Sequence, residues 1–280
     1  MCDRPLWKES HPLGRIMGRG RRLGSRRYLV SMSDLWQTAP EASKRFGAQA
    51  RDYDRYRPRY PESVFDDIMD VTHAAVGAGV IEIGAGTGIA TEPLVRRGLS
   101  VTAIEPAPEM ASLARAKLRD RALVFVGRFE DYSAPGLVQV VASFNAWHWV
   151  NPEIAVNRVA DLLAPGGSLA LVWTEVVSWG EEPFEERLAQ VFGHPWAKRL
   201  DHVDDSLRPL RGDPRFEDTL VLHHLFERRL DASTFVAVTK TYGGQRTDAQ
   251  YDAIGRAIND EFGGSISKVE DAALYISRRC

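Results

Sequence analysis

Residues 79–88 read Gly-Val-Ile-Glu-Ile-Gly-Ala-Gly-Thr-Gly, an apolar run ending in glycines at alternate positions, Gly84, Gly86 and Gly88. The β-branched run suits a buried strand. The glycines permit positive φ and leave no Cβ between the backbone and whatever approaches it. In an open α/β fold such a turn lies at the carboxyl edge of the sheet, where ligands bind. Three glycines in five residues exceed what a tight turn needs, so the segment reads as a ligand-cradling loop. A triphosphate loop needs Gly-Lys-Ser/Thr, but Ile89 follows Gly88. A dinucleotide fingerprint needs its third glycine where Ile89 again stands.

The surrounding pattern gives this loop a fold. A polar helix is expected over 40–60, ending before Pro58, because a residue preceding proline avoids the helical region. A second helix is expected over 62–75. Strands follow at 79–83, 100–104, 122–126, 138–144 and 168–173. They alternate with helices that end near Gly98, open at Pro108 and open at Asn151-Pro152-Glu153. Alternating strands and helices imply a parallel sheet covered on both faces. Beyond Thr174 the pattern predicts helices at 184–192, 233–242 and 248–262 and strands at 220–229 and 270–277. Residues 193–216 read as loop-rich.

Charge is unevenly spread. Residues 1–31 carry seven Arg and one Lys against Asp3 and Glu9, a net +6, which leaves −8 on the remainder of a chain whose total is −2. This segment lacks a sustained period and enough apolar surface to offset ordering entropy, so it reads as a disordered basic extension. Three readings of it stand: an organelle-targeting segment, a basic nucleic-acid arm, or an extension upstream of a start at Met32. It has no apolar stretch of secretory-signal length, and nothing in the chain approaches a membrane span. The expectation is a cytoplasmic protein with no membrane partner, monomeric or homodimeric. Cys2 and Cys280 are too few for a disulfide framework or a cysteine metal site. His223 and His224 are adjacent on an expected strand and point to opposite faces, so no metal is assigned.

Taken together, the glycine spacing and its context resemble motif I of the class I S-adenosylmethionine-dependent methyltransferases. Asn145-Ala146-Trp147-His148-Trp149, the 158–167 stretch ending Pro165-Gly166-Gly167, and Tyr53 with Arg57-Pro58-Arg59-Tyr60-Pro61 resemble the type 11 and trans-aconitate-like small-molecule subgroup. The resemblance implies a Rossmann-like α/β fold: a seven-stranded, mostly parallel sheet with helices on both faces and an antiparallel terminal hairpin. It implies one domain over 32–280, with lid helices at 40–75 and a substrate-cap insertion at 175–216. The implied cofactor is S-adenosylmethionine, held by Glu82, Gly84, Ala85, Gly86, Thr87, Gly88, Glu105, Pro106, Phe129, Asn145 and Ala146. Glu105 would accept hydrogen bonds from both ribose hydroxyls, as an ionised carboxylate can.

The implied activity is methyl transfer to a small-molecule acceptor, on oxygen. His148 is the candidate catalytic residue, with three readings open: general base, positioning group, or loop packing between Trp147 and Trp149. Tyr53, Arg57, Tyr60, Trp147 and Trp149 are candidate lid and substrate residues. Arg57 suits a carboxylate or is a surface helix-end residue. Five tryptophans between 147 and 196 line an apolar pocket or fill a core. Two other classes remain: a tRNA or nucleic-acid methyltransferase, disfavoured by the −8 folded part, and a non-catalytic cofactor-binding module. No nucleic-acid partner is expected.

Overall fold

The computed structural model describes residues 32–196, 200–243 and 246–280. The expected extension over 1–31 lies outside the described residues. Three helices come first: α1 (Ala39–Ala48), α2 (Ala50–Tyr56) and α3 (Glu62–Thr72). Then β1 (Gly79–Ile83), α4 (Thr91–Arg96), β2 (Ser100–Glu105), α5 (Pro108–Leu118), β3 (Ala122–Val126), β4 (Val138–Phe144), α6 (Pro152–Leu162) and β5 (Leu163–Trp179) alternate as the sequence predicts. The remainder is α7 (Glu182–Phe192), α8 (Leu200–Leu207), β6 (Leu220–Asp231), α9 (Ala232–Thr241), α10 (Asp248–Glu261) and β7 (Ser265–Arg278).

The strands form one sheet in the order β3-β2-β1-β4-β5-β7-β6. The first five are parallel; β7 runs antiparallel to both β5 and β6. This is the expected seven-stranded Rossmann-like sheet with its antiparallel end. The strand order reverses between β1 and β4, so a crevice opens above their carboxyl ends.

Apolar residues on both faces put the strands between two layers. Val80, Val140, Ala170 and Leu274 pack under α3 and α4, with Phe65, Ile68 and Leu94 fully buried there. Ile81, Val141, Leu169 and Leu171 face α6 and α8 through Val156, Val159, Val203 and Leu207. A third cluster joins α7, α9 and α10 to the far ends of β6 and β7 through Phe184, Phe235, Ile254 and Ile266.

Three expectations change. The helix expected over 40–60 breaks at Gln49, whose N–H turns back to Phe46 and Gly47. The break lets the chain pass close to α5, where a Cβ on Gly47 would lie 2.4 Å from Glu109 Oε2. The fifth strand begins at Leu163, because Val138 pairs with Leu163 before the register jumps to Val140 with Ser168. The Pro165-Gly166-Gly167 turn is thus an excursion within the strand, tied by Gly166 N–H to Arg279 O and Arg279 N–H to Gly167 O. Residues 193–216 contain α8, an amphipathic helix whose Val203 and Leu207 enter the core.

Charge is buried where β6 and β7 run out. Lys268 Nζ lies 2.8 Å from Glu270 Oε1, both side chains almost fully enclosed. Arg228 Nε lies 2.8 Å from Glu270 Oε2. One carboxylate balances two cations, so Glu270→Gln is expected to destabilise the fold by about 3 kcal/mol in urea unfolding. A loss under about 1 kcal/mol would mean that the lysine escapes to water.

Candidate functional site

The glycine loop is held from below by one acid. Gly84 and Ala85 N–H both donate to Ile104 O, which ties the end of β1 to the end of β2. The next amide, Gly86 N–H, donates to Glu105 Oε2 at 2.8 Å, and Ala107 N–H donates to Glu105 Oε1 at 2.8 Å. Gly84 and Gly86 have φ of +69° and +59°. A Cβ on Gly84 would lie 2.3 Å from Ala146 Cβ, so the two loops touch there with no room to spare. Glu105 is buried, and burial pushes its carboxyl up to about 7 against the two amide hydrogen bonds. Glu82 lies deeper. Burial pushes it up to about 8, with Thr91 pulling the other way and the Glu105 charge adding to the rise. Its Oε2 is buried without a hydrogen-bond partner.

Asn145 closes the opposite wall. It leaves β4 at φ +54°, its Oδ1 accepts Thr174 N–H at 2.9 Å, and its Nδ2 donates to Tyr60 Oη at 2.9 Å. This fixes Tyr60 in a partly buried position, and desolvation raises its hydroxyl above the ordinary tyrosine range.

The roof comes from α1, α2 and the end of α9. Asp54 on α2 accepts a hydrogen bond from Thr87 Oγ1 at 2.7 Å and an ion pair from Lys117, which latches α2 to the glycine loop. Arg57 follows α2. Its guanidinium lies 4.7 Å from the Tyr53 ring centre and 4.3 Å from that of Tyr242, and Nη2 donates to Thr241 O at 3.0 Å. It is therefore a half-buried clamp between two aromatic faces.

Beneath this roof lies a cavity of about 340 Å³. Of the residues singled out from sequence, Gly84, Gly86, Glu105, Pro106, Phe129, Asn145 and Ala146 line it, as do Tyr53, Arg57, His148 and Trp149. A smaller recess beside it is lined by Glu82, Ala85 and Tyr60. Thr87, Gly88 and Trp147 line neither. Thr87 serves the latch, Gly88 faces Leu118, and Trp147 turns into the core, its Nε1–H directed at Ser206 O. Trp173 also packs in that core, and Trp179 and Trp196 join the third apolar cluster. Only Trp149 of the five tryptophans reaches this cavity. No described residue of 175–216 lines it.

Sequence reasoning did not single out Phe46, Met110 or Tyr242, which also line the cavity. Tyr242 lies far beyond the last motif, which ends at Gly167, and nothing local marks it. His148 Nδ1 accepts Trp173 Nε1–H at 3.4 Å. Among the described residues no cluster of three or more His, Cys, Asp or Glu could hold a metal ion. No described helix is long and apolar enough to cross a membrane.

Comparison with known proteins adds four findings. The family of methyltransferase domains matches residues 81–171. An uncharacterized methyltransferase of Mycobacterium tuberculosis is 38% identical over 146 residues, covering 51% of this chain and 58% of the relative. Another from Geobacillus kaustophilus is 30% identical over 155 residues, covering 52% of this chain and 71% of the relative. The match thus spans little more than half the mycobacterial relative. Among solved structures, the fold is similar to phosphoethanolamine N-methyltransferase 2 of Haemonchus contortus. That similarity has a TM-score of 0.50 at 15% identity, over 90% of this chain and 60% of the other.

The latch is testable without any ligand. Asp54→Ala leaves Thr87 and Lys117 without their shared acceptor, at a local cost of about 1–3 kcal/mol. Amide exchange across 50–56 is expected to speed up while the strands stay protected. Unchanged exchange over 50–56 would mean that the apolar contacts of α2 hold the roof alone.

Proposed function

This chain belongs to the methyltransferase-domain family, and we propose that it transfers a methyl group from S-adenosylmethionine to an oxygen of a small-molecule acceptor. The Haemonchus neighbour was solved with S-adenosylhomocysteine bound. The observation that carries the reading in this chain is Glu105. It is a buried acid at the end of β2, braced by Gly86 and Ala107 amides, and it lines a cavity at the topological switch point.

The residues present fit the cofactor. Glu105 would accept the ribose hydroxyls, and Phe129, Met110 and Val150 offer apolar surface for the base. Glu82 has a buried carboxylate oxygen without a hydrogen bond on the adjoining recess, which suits an ammonium group. When bound, the cofactor supplies a methyl group already activated by sulfonium charge. What remains for the protein is to align an acceptor and exclude water, and orientation alone contributes several kcal/mol.

Arg45 and Arg57 line the cavity and favour an acceptor with an anionic group. His148 lines the cavity beside Asn145 and Trp149, where it would position the acceptor. A carboxylate oxygen needs no base to become nucleophilic.

Calorimetric titration with S-adenosylmethionine and S-adenosylhomocysteine tests the cofactor. Micromolar binding is expected, and Glu105→Ala is expected to weaken it about ten- to a hundredfold. Affinity should rise as the pH climbs through about 7, because the ribose hydroxyls need the ionised Glu105 carboxylate. Glu105→Gln should flatten that rise, and wild-type affinity in Glu105→Ala would sink the assignment. With an acceptor identified from a carboxylic-acid panel, His148→Ala is expected to raise the acceptor KM more than it lowers kcat. A collapse of kcat with a lost acidic limb in the pH profile would restore the general-base role.

A further inference from the structure

Two parts of the chain line the cavity beneath the roof. Gly84, Gly86, Glu105, Phe129 and Asn145 lie within residues 81–171, the span that matches the methyltransferase domain. Leu35, Ala39, Ala42, Arg45, Phe46 and Tyr242 lie outside it. The first group serves the cofactor in the reading above. The second is left for the acceptor, and its chemistry narrows what that acceptor can be.

Three arginines reach the cavity, and they differ in what holds them. Arg128 pairs with Glu130 at 2.8 Å. Arg57 lies between two rings and donates to Thr241 O. Arg45 is exposed, and among the described residues its guanidinium has neither a carboxylate within ion-pair reach nor a hydrogen-bond acceptor. Its place is nonetheless set. Its Cζ lies 5.4 Å from the centre of the Phe46 ring. It also meets Gly243, just past α9, where a Cβ would lie 3.3 Å from Arg45 Nε and 3.5 Å from Cζ. Gly243 has a φ of +74°, and its carbonyl accepts Arg246 Nη1–H at 3.1 Å, which holds this turn. Glycine therefore leaves room for a guanidinium with unclaimed donors, and that planar fork suits a carboxylate.

The wall that carries Arg45 is otherwise apolar. Helix α1 brings Ala39, Ala42 and Phe46 to the cavity, the spacing of one helix face, with Ser43 as its only polar contribution besides Arg45. The 3-10 turn before α1, Met32–Thr38, adds Leu35 and packs against the turn that carries Trp149. Phe46 and Trp149 meet edge-to-face, their centres 6.2 Å apart. A molecule lying on this wall is held at one end by charge and along its body by rings and methyl groups.

We propose that the acceptor is an amphipathic monocarboxylic acid, its carboxylate on Arg45 and its apolar body against Leu35, Ala42, Phe46 and Trp149, and that Gly243 positions Arg45 for it. This rests on the methyl-transfer reading above. The carboxylate oxygen not held by Arg45 bonds to the methyl carbon as the carbon–sulfur bond breaks, and the electron pair of that bond goes to sulfur. Sulfonium and carboxylate both become neutral, the product is a methyl ester, and no proton moves. Loss of the acceptor's charge also ends its attraction to Arg45, which favours release of the ester over the acid.

The probe is octanoate, titrated calorimetrically into the full chain saturated with S-adenosylhomocysteine, with 1-octanol and succinate as counterparts. Saturable binding of octanoate is expected. The alcohol, which lacks the charge, should bind about fivefold weaker, and succinate, which lacks the apolar tail, at least about tenfold weaker. Arg45→Gln should lower octanoate affinity about fivefold and leave the affinities for 1-octanol and S-adenosylhomocysteine unchanged. Gly243→Ala should act in the same way and add nothing in the Arg45→Gln protein, a coupling that mere loss of stability would not produce. With S-adenosylmethionine in place of its product, methyl octanoate is expected by gas chromatography. Silence toward octanoate while S-adenosylhomocysteine binds, equal binding of either counterpart, or an octanoate affinity indifferent to Arg45→Gln would overturn the proposal and leave the cofactor reading standing. Failure of S-adenosylhomocysteine itself to bind would bring down both.

Discussion

The Glu105 carboxylate, clasped by the Gly86 and Ala107 amides, is the contact on which the rest of the site depends. A buried acid requires hydrogen-bond donors, and here the donors are backbone groups of two different turns. Satisfying it fixes the positive-φ path of the glycine loop. That path presses Gly84 against Ala146 and positions the β4 turn carrying Asn145 and His148. The roof then fastens to the same loop through Thr87 and Asp54. Floor, wall and roof thus share one anchor.

That anchor stores unfavourable electrostatics. Glu82 and Glu105 are both buried and both titrate above the ordinary carboxylate range, to about 8 and about 7. The folded chain holds protons that the unfolded chain has already released once the pH exceeds about 4.5. The stability from these two groups is whole below that point and is lost as the pH rises through 7 and 8. A ligand bringing hydroxyls to one acid and a positive charge to the other relieves the strain. Such a site is organised for its ligand at some cost to the free protein.

The strands were legible because their signals are local. Apolar runs bounded by Gly and Pro located β1 to β4, and Asn151-Pro152-Glu153 marked a helix start that Asn151 caps through Glu153 N–H at 3.0 Å. Features set by distant contacts were not. The break at Gln49 goes with the approach of Gly47 to Glu109, sixty residues away. The sequence Trp147-His148-Trp149 does not reveal that a tight turn sends the first tryptophan to the core and the third to the cavity. Tyr242 is a single aromatic with no motif, recruited because Arg57 needs a second face to lie on. The floor of the cleft is therefore local information and its roof is tertiary.

The sheet order has a consequence for how the chain comes together. Position six of the seven is filled by β7, the last described strand to leave a ribosome, and its neighbours β5 and β6 both precede it. Until it arrives, each of those strands presents an open edge of unpaired amides and carbonyls, the feature that invites association between chains. The glycine loop and its acid can form early from short-range parallel pairings. The antiparallel end must wait for an insertion across large sequence separation, which is slow. During synthesis the protein therefore passes through a stage with a nearly finished cleft and a gap in its sheet, and that gap is its point of greatest exposure to aggregation and to chaperones.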